Sequence, residues 1–174
     1  MIISLTGFMG CGKSTCGREL AAMLGADFSD LDELIVRSEG RSIPEIFAEG
    51  GEDAFRACEL RALKDYVASA AADGVHVLAL GGGAITRPEA FDVVMSSTKC
   101  VYLRTSLETI RKRLGAADAS RPLFSNADAL FAARSPIYEK ATFAIDTDDR
   151  TPLQVAEEIS RMAGRQQDLH QDRG

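Results

Sequence analysis

A glycine-rich octapeptide close to the N-terminus constrains this chain more than any other stretch. Residues 7–14 read GFMGCGKS and fit the phosphate-binding loop (P-loop) pattern G-x-x-x-x-G-K-[ST]. An apolar, strand-like run precedes them at residues 2–6, and a helical stripe that includes Cys16, Leu20 and Leu24 follows. Glycines let backbone N–H groups approach a polyphosphate where a Cβ would block them. This order of strand, loop and helix therefore predicts a nucleoside triphosphate site.

Two side chains of the loop carry the chemistry that a triphosphate requires. Lys13 is placed to reach the β- and γ-phosphates, and the hydroxyl of Ser14 is placed for Mg²⁺. The helix that starts here adds the positive end of its dipole to the same anion site. The rest of the chain must then supply whatever accepts or senses the nucleotide.

Strand-like and helical segments alternate along the whole chain. Apolar, β-prone runs are predicted as strands at residues 2–6, around Phe28, and at 75–80, 100–103 and 143–145, with helices between them. This alternation predicts an α/β fold, a parallel sheet between two helix layers. Ligands of such sheets bind beyond the carboxyl ends of the strands. The P-loop, the Asp30 and Asp32 pair and the glycines at 81–83 all follow strands, so we expect them to share one cleft.

Local signals predict the ends of two of the helices. Ser42 is a helix N-cap, and Glu45 three residues later completes a capping box for a short helix that Gly50-Gly51 breaks. Pro152 opens a final helix, which we expect to end near Ala163.

Length and composition limit the domain count. With 174 residues the chain fits a single domain, which we place at residues 1–164. Residues 165–174 are polar and lack aromatic residues, so we expect a disordered tail there. Residues 115–124 combine small and polar residues with a proline and show no periodicity, which is typical of a mobile loop.

Charge and cysteine usage narrow the partners and the compartment. The net charge of −6 argues against a nucleic-acid partner, since phosphate backbones need a basic face. No apolar run approaches the roughly 20 residues of a membrane span, and the first strand leaves no room for a signal peptide. The four cysteines lack metal-ligand spacing. We therefore expect a reduced, cytoplasmic protein that contacts no membrane.

Two aspartates follow the second predicted strand. If the extended geometry persists, Asp30 and Asp32 point to the same side, where one serves Mg²⁺ and the other meets a phosphoryl acceptor. The alternative is that both complement the dipole at a helix N-terminus.

A second pair of candidates lies on a predicted helix. Arg56 and Glu59 are spaced i, i+3, which fits an exposed ion pair of little energetic value. It equally fits a carboxylate that orients Arg56 to grip an anionic substrate through two parallel hydrogen bonds. Periodicity does not decide between these interpretations.

Three successive glycines and two arginines complete the candidates. Gly81, Gly82 and Gly83 follow a buried strand, where such a run indicates close approach of another group to the backbone. Arg121 lies in the non-periodic loop, and Arg134 lies on the next helix. Phosphoryl transfer needs cations on the transferring group and exclusion of water, which a closing loop with an arginine supplies.

Together these motifs resemble the shikimate kinase family, small P-loop kinases of the nucleoside monophosphate kinase fold. The resemblance extends from Ile2 to about Ala163 and rests on the P-loop, FSDLD at 28–32, GRSIPEIF at 40–47, GEDAFRACE at 51–59, GGG at 81–83, RPL at 121–123 and RSPIY at 134–138. It implies a five-stranded parallel sheet of order 2-3-1-4-5, a helical substrate-binding segment at about 31–60 and a lid at about 114–124. It also implies ATP-dependent phosphorylation of the 3-hydroxyl of shikimate, with Mg²⁺ as cofactor, by a monomer.

The resemblance also implies roles for particular residues. Lys13, Asp32 and Arg121 would be catalytic, and Ser14 and Asp30 would serve the metal. Asp32, Arg56, Gly81, Gly82, Gly83 and Arg134 would bind shikimate, with Glu59 bracing Arg56. Gly10, Cys11, Gly12, Lys13, Ser14, Thr15, Arg113, Arg121 and Arg150 would bind the nucleotide.

Two alternative functions remain to be weighed. Another small-molecule P-loop kinase, such as a gluconate or nucleoside monophosphate kinase, is disfavoured by the Phe55-Arg56-x-x-Glu59 motif and by the triple glycine. A non-catalytic ATP-binding protein of the same fold would be expected to have lost Lys13, Asp32 or Arg121. All three are present.

Overall fold

Five parallel strands form the sheet at the centre of the molecule. The computed structural model describes residues 1–70, 74–114 and 126–171, with side chains as far as residue 163. The strands pair in the order β2-β3-β1-β4-β5, which confirms the order implied by the resemblance. Their bounds are β1 (Ile2–Thr6), β2 (Asp27–Asp30), β3 (His76–Ala79), β4 (Lys99–Arg104) and β5 (Phe143–Asp146).

Helices cover both faces of this sheet. Their bounds are α1 (Lys13–Leu24), α2 (Leu31–Glu39), α3 (Ile43–Ala70), α4 (Pro88–Ser97), α5 (Leu107–Leu114), α6 (Ala127–Tyr138) and α7 (Pro152–Gln171), with a short 3₁₀ turn at Ala84–Thr86. α1 and α7 pack on one face, against a buried cluster that includes Leu5, Leu20 and Ile159. α3 to α6 pack on the other face, against a second cluster that includes Leu63 and Tyr138. Burial on both faces explains why β1 and β3 are almost continuously apolar.

α3 is two helical segments joined at a glycine. Gly51 has φ 68° and ψ −164°, values that interrupt the helix at the glycine pair where the sequence predicted a break. The predicted capping box at the N-terminal end is also confirmed, since the Ser42 N–H donates to Glu45 Oε2 at 2.7 Å. The residues that follow Gly51 therefore start a new helical turn, and this turn carries Glu52 and Arg56.

The C-terminal boundary is a correction. We expected the last helix to end near Ala163, but α7 continues to Gln171. Disorder of the tail at residues 165–174 stays a prediction, and residues 172–174 lie outside the described residues. Residues 164–171 contain arginine, leucine and several glutamines, which are good helix formers, so helix propensity extends beyond the apolar stripe on which the boundary was based. Polarity alone was a poor guide to the end of the helix.

The structure bears on the predicted lid, on the absence of a membrane span and on the cysteines. The proposed lid at about 114–124, with Arg121, lies outside the described residues except for Leu114 at the end of α5. Across residues 1–70, 74–114 and 126–171, no helix has the length and apolar character needed to cross a bilayer. All four cysteines are free and buried.

Candidate active site

The P-loop joins β1 to α1 in a shape that needs its glycines. Gly10 and Gly12 have φ values of 75° and 99°, which side chains with a Cβ rarely adopt. Lys13 folds back over this loop, and its Nζ donates to the carbonyl oxygens of Gly7 at 2.8 Å and Phe8 at 3.0 Å. Its third contact, to Cys11 Sγ, is longer at 3.7 Å. The ammonium group is thus fixed over the loop by its own backbone, ready to meet an anion.

Asp30 connects the nucleotide loop to the start of α2. Its Oδ2 accepts a hydrogen bond from Ser14 Oγ at 2.7 Å, and its Oδ1 accepts one from the Asp32 N–H at 3.0 Å. The chain turns helical directly after Asp30, so the condition that extended geometry persists through Asp32 is not met. Asp30 is the helix N-cap, as the alternative interpretation stated for a helix N-terminus.

The Ser14 and Asp30 pair fits a hard divalent cation. Hydroxyl and carboxylate oxygens are the ligand types that Mg²⁺ takes from proteins, usually one or two of them with waters and phosphate oxygens. Within the described part of the chain, no group of three or more histidine, cysteine, aspartate or glutamate side chains is arranged to hold a metal. A cation at Ser14 and Asp30 would therefore complete its coordination with phosphate and water.

Asp32 lies in the first turn of α2 and faces the glycine turn that follows β3. A Cβ built on Gly81 would lie 3.2 Å from Asp32 Oδ1, so this carboxylate packs directly on that turn. Burial is the main cause that raises the pKa of Asp32, and the nearby Asp30 adds to it. Lys13 and Arg56 act in the opposite direction. Asp32 is therefore a carboxylate with increased proton affinity that lies close to two cations, Lys13 and Arg56.

Arg56 and Glu59 form a buried ion pair. Arg56 Nη1 donates to Glu59 Oε2 at 2.7 Å, and the two side chains are 12% and 2% exposed. The exposed surface pair, one of the two interpretations that the spacing left open, is thus wrong. Burial raises the pKa of Glu59, and Arg56 lowers it in part. Among the described residues, Glu59 Oε1 has no hydrogen-bond partner.

The raised pKa of Glu59 predicts a pH-dependent stability. A carboxyl group whose pKa is higher in the folded than in the unfolded protein binds its proton more tightly when folded. Its contribution to the free energy of unfolding is therefore complete at pH values below 4.5, the ordinary pKa of the group. The contribution is lost as the pH rises through the higher pKa of the folded protein. We expect the free energy of unfolding of the wild type to fall, relative to Glu59→Gln, as the pH rises above 4.5. Urea denaturation across this range measures it, and parallel curves for both proteins would contradict it.

A second carboxylate on Arg56 was missed by the sequence analysis. Glu52 Oε1 accepts from Arg56 Nε at 3.4 Å and from Nη2 at 3.3 Å. Its side chain is 61% exposed, in contrast to the buried Glu59. The spacing of i, i+4 was a usable signal, but nothing in the sequence ranks one of two flanking glutamates above the other.

The glycine turn after β3 gathers side chains from α3 and α6. A Cβ on Gly83 would overlap the guanidinium of Arg56, so glycine lets Arg56 lie against the turn. The carbonyl oxygen of Gly82 accepts from Arg134 Nη1 at 3.4 Å and from the hydroxyl of Tyr138. Tyr138 is fully buried, and the sequence analysis did not single it out. The turn thus brings two guanidinium groups from distant helices to one place, an arrangement suited to a carboxylate.

A separate pocket lies on the other side of the P-loop. Arg113 donates to the carbonyl oxygen of Cys11 at 3.0 Å through Nη1 and to that of Thr147 at 3.0 Å through Nη2. A cavity of about 160 Å³ is lined there by Gly12, Thr15, Arg113, Thr147, Arg150 and Pro152. Arg113 and Arg150, distant in sequence, therefore meet beside the loop. No motif in the sequence indicated that Thr147 and Pro152 would line this pocket, because their position in it depends on how α7 packs against α1.

The described candidates thus form two groups that meet at the P-loop. Cys11, Gly12, Thr15, Arg113 and Arg150 line the pocket on one side, Asp32, Arg56, Gly81, Gly82, Gly83 and Arg134 cluster on the other, and Lys13, Ser14 and Asp30 lie between them. Gly10 packs against Leu114, where a Cβ would come within 2.9 Å. Arg121 falls outside the described residues.

Comparison with known proteins gives one consistent result. The family model described as shikimate kinase matches residues 9–163. A shikimate kinase from Thermus thermophilus is 42% identical over 163 residues, covering 90% of this chain and 86% of that protein. The structure of a shikimate kinase from Acinetobacter baumannii in complex with shikimate matches with a TM-score of 0.85 and 34% identity, covering 95% of this chain and 93% of that chain. A shikimate kinase from Aquifex aeolicus matches with a TM-score of 0.80 and 34% identity, covering 95% and 98%. Since sequence and fold agree over nearly the whole chain, it belongs to the shikimate kinase family.

Proposed function

We propose that this chain transfers the γ-phosphoryl group of ATP to the 3-hydroxyl of shikimate, giving shikimate 3-phosphate and ADP on the route to chorismate and the aromatic amino acids. The observation that carries the proposal is Arg56, which is only 12% exposed and is braced by the buried Glu59 at 2.7 Å beside the Asp32 carboxylate. A cation held this firmly next to a carboxylate and a phosphate-binding loop fits an acceptor that carries both an anionic group and hydroxyls.

The acceptor would bind across the glycine turn. Its carboxylate would be gripped by Arg56 and Arg134, which both lie against residues 81–83. Its hydroxyls would meet Asp32 and the backbone around Gly82. Tyr138 would hold this backbone in place through its hydrogen bond to the Gly82 carbonyl. The two arginines thus select for the anionic end of the substrate, and Asp32 for the hydroxyl end.

The nucleotide would bind on the opposite side of the P-loop. Its phosphates would meet the loop N–H groups and Lys13, and its base and ribose would lie in the pocket between Arg113 and Arg150. Ser14 and Asp30 would hold Mg²⁺, which when bound neutralises charge on the β- and γ-phosphate oxygens. Lys13 would be reoriented from the loop carbonyls toward these oxygens.

Asp32 would take up the proton released by the attacking hydroxyl. Its raised pKa favours this acceptance, although a loose phosphoryl transfer depends more on positioning than on a strong base. By the family resemblance, Arg121 on the lid would stabilise the transferring group. We further propose that the enzyme acts as a monomer in the cytoplasm and contacts no nucleic acid, in line with its net charge of −6.

A coupled assay of ADP release tests the function. Shikimate, gluconate and nucleoside monophosphates are offered separately with ATP and Mg²⁺, and a parallel series contains EDTA. We expect release that depends on shikimate and stops when the divalent cation is chelated. Turnover with gluconate or a nucleoside monophosphate but not with shikimate would overturn the proposal.

A further inference from the structure

Arg56 is shared by two carboxylates that differ in burial. Glu59 is 2% exposed and contacts Nη1 at 2.7 Å, which is an ordinary length for a charge-assisted hydrogen bond. Glu52 is 61% exposed, and one of its oxygens accepts from both Nε and Nη2 at 3.4 and 3.3 Å. These two contacts are longer than charge-assisted hydrogen bonds usually are. Glu59 is therefore a permanent partner of Arg56, and Glu52 is a weakly held one.

The guanidinium edge that Glu52 occupies is one that a carboxylate can use fully. Nε and Nη2 offer two parallel N–H groups, which match the two oxygens of a carboxylate. Glu52 presents only one oxygen to this pair. Since Nη1 is held by Glu59, the Nε and Nη2 edge is the better prepared place for a second carboxylate to bind with both oxygens.

The local charge balance gives a reason for Glu52 to leave. Asp32, Glu59 and Glu52 place three carboxylates around Arg56, and Arg134 and Lys13 are further cations that act on this group. A substrate carboxylate would be a fourth anion. Glu52 lies in the first turn after the helix break at Gly51, and its exposed side chain can rotate into solvent without uncovering buried surface. Displacing Glu52 relieves the repulsion that the incoming carboxylate would otherwise meet.

We propose that Glu52 is a placeholder for the substrate carboxylate: it occupies the Nε and Nη2 edge of Arg56 while the acceptor is absent and competes with the acceptor for that edge. This inference rests on the proposed function, since it takes the acceptor to be a carboxylate. Glu52 thereby sets the affinity for the acceptor and favours ligands that bring two well-placed oxygens over ligands that bring one.

Removing the charge of Glu52 tests the competition. Glu52→Gln is expected to bind shikimate about 2- to 5-fold more tightly by calorimetry, the range for loss of one exposed ion pair. The carboxamide of shikimate, which is neutral, should show no such gain. ADP affinity should not change, because the proposed nucleotide pocket is lined by other residues. The matched control is Asp53→Asn, which removes a charge from the adjacent residue, whose carboxylate pairs with Arg87 instead.

The results of these experiments can overturn the role of Glu52 without overturning the proposed function. Weaker shikimate binding by Glu52→Gln would mean that Glu52 orients Arg56 for the substrate, and unchanged binding would mean an ordinary surface pair. A gain of equal size in Asp53→Asn would mean a general effect of net charge. Each of these results overturns the placeholder alone. A wild-type protein that binds ADP but no shikimate would overturn the proposed function together with it.

Discussion

Replacing Lys13 with methionine is expected to lower kcat by roughly 10²- to 10³-fold, the usual loss when one preorganised donor to a developing charge is removed. Methionine keeps most of the length of the side chain but has no charge. Lys13 lies over the P-loop, where its Nζ contacts the carbonyl oxygens of Gly7 and Phe8, so the substitution removes the ammonium group that would turn toward the phosphates. A stopped-flow or coupled assay of ADP release at saturating shikimate measures the effect.

A matched control separates catalysis from folding. Lys64→Met removes the charge of an exposed lysine on α3, far from the P-loop, and should leave kcat unchanged. Circular dichroism of Lys13→Met checks that the protein is folded, because the substitution leaves the carbonyl oxygens of Gly7 and Phe8 without this donor. Retention of kcat within tenfold in a folded Lys13→Met protein would contradict the assigned role.

Replacing Arg56 with methionine is expected to weaken shikimate binding by at least about 100-fold, because a charge-assisted bidentate contact contributes roughly 3 kcal/mol. ADP binding should persist, since the nucleotide pocket lies on the other side of the P-loop. Calorimetry with each ligand in turn measures the difference. Equal loss of both affinities would mark Arg56 as a structural residue with no specific role toward the acceptor.

The same substitution is expected to destabilise the protein by about 3–5 kcal/mol near neutral pH, because it leaves the buried Glu59 without its counter-ion. Without Arg56 the pKa of Glu59 should rise further. The penalty should therefore shrink as the pH falls and Glu59 becomes neutral. The double variant Arg56→Met, Glu59→Gln should recover stability at neutral pH without recovering shikimate binding. Recovery of both would show that binding was lost only through unfolding.

The sequence was sufficient for those parts of the site that depend on local spacing. The P-loop, the capping box at Ser42 and the helix break at Gly51 each follow from residues within one turn of one another, and the structure confirms them. The alternation of strands and helices likewise predicted the parallel sheet. In these cases the physical cause is contained in the local sequence.

Features that depend on distant contacts could not be predicted in the same way. Tyr138 contacts Gly82 across 56 positions, and Arg113 contacts Cys11 across 102. Both contacts form only because the folded sheet brings together segments that follow different strands. Asp30 and Asp32 show the opposite difficulty, since the local pattern allowed two backbone geometries and the onset of α2 decided between them.

The hydrogen bonds of Asp30 have a consequence for how the two ligands influence each other. One oxygen of this carboxylate meets Ser14 on the nucleotide side, and the other holds the backbone N–H of Asp32 on the acceptor side. Any change that cation binding makes in the orientation of Asp30 is therefore transmitted to the first turn of α2. Thermodynamic linkage makes such coupling reciprocal: the factor by which the bound cation alters the affinity for the acceptor equals the factor by which the acceptor alters the affinity for the cation.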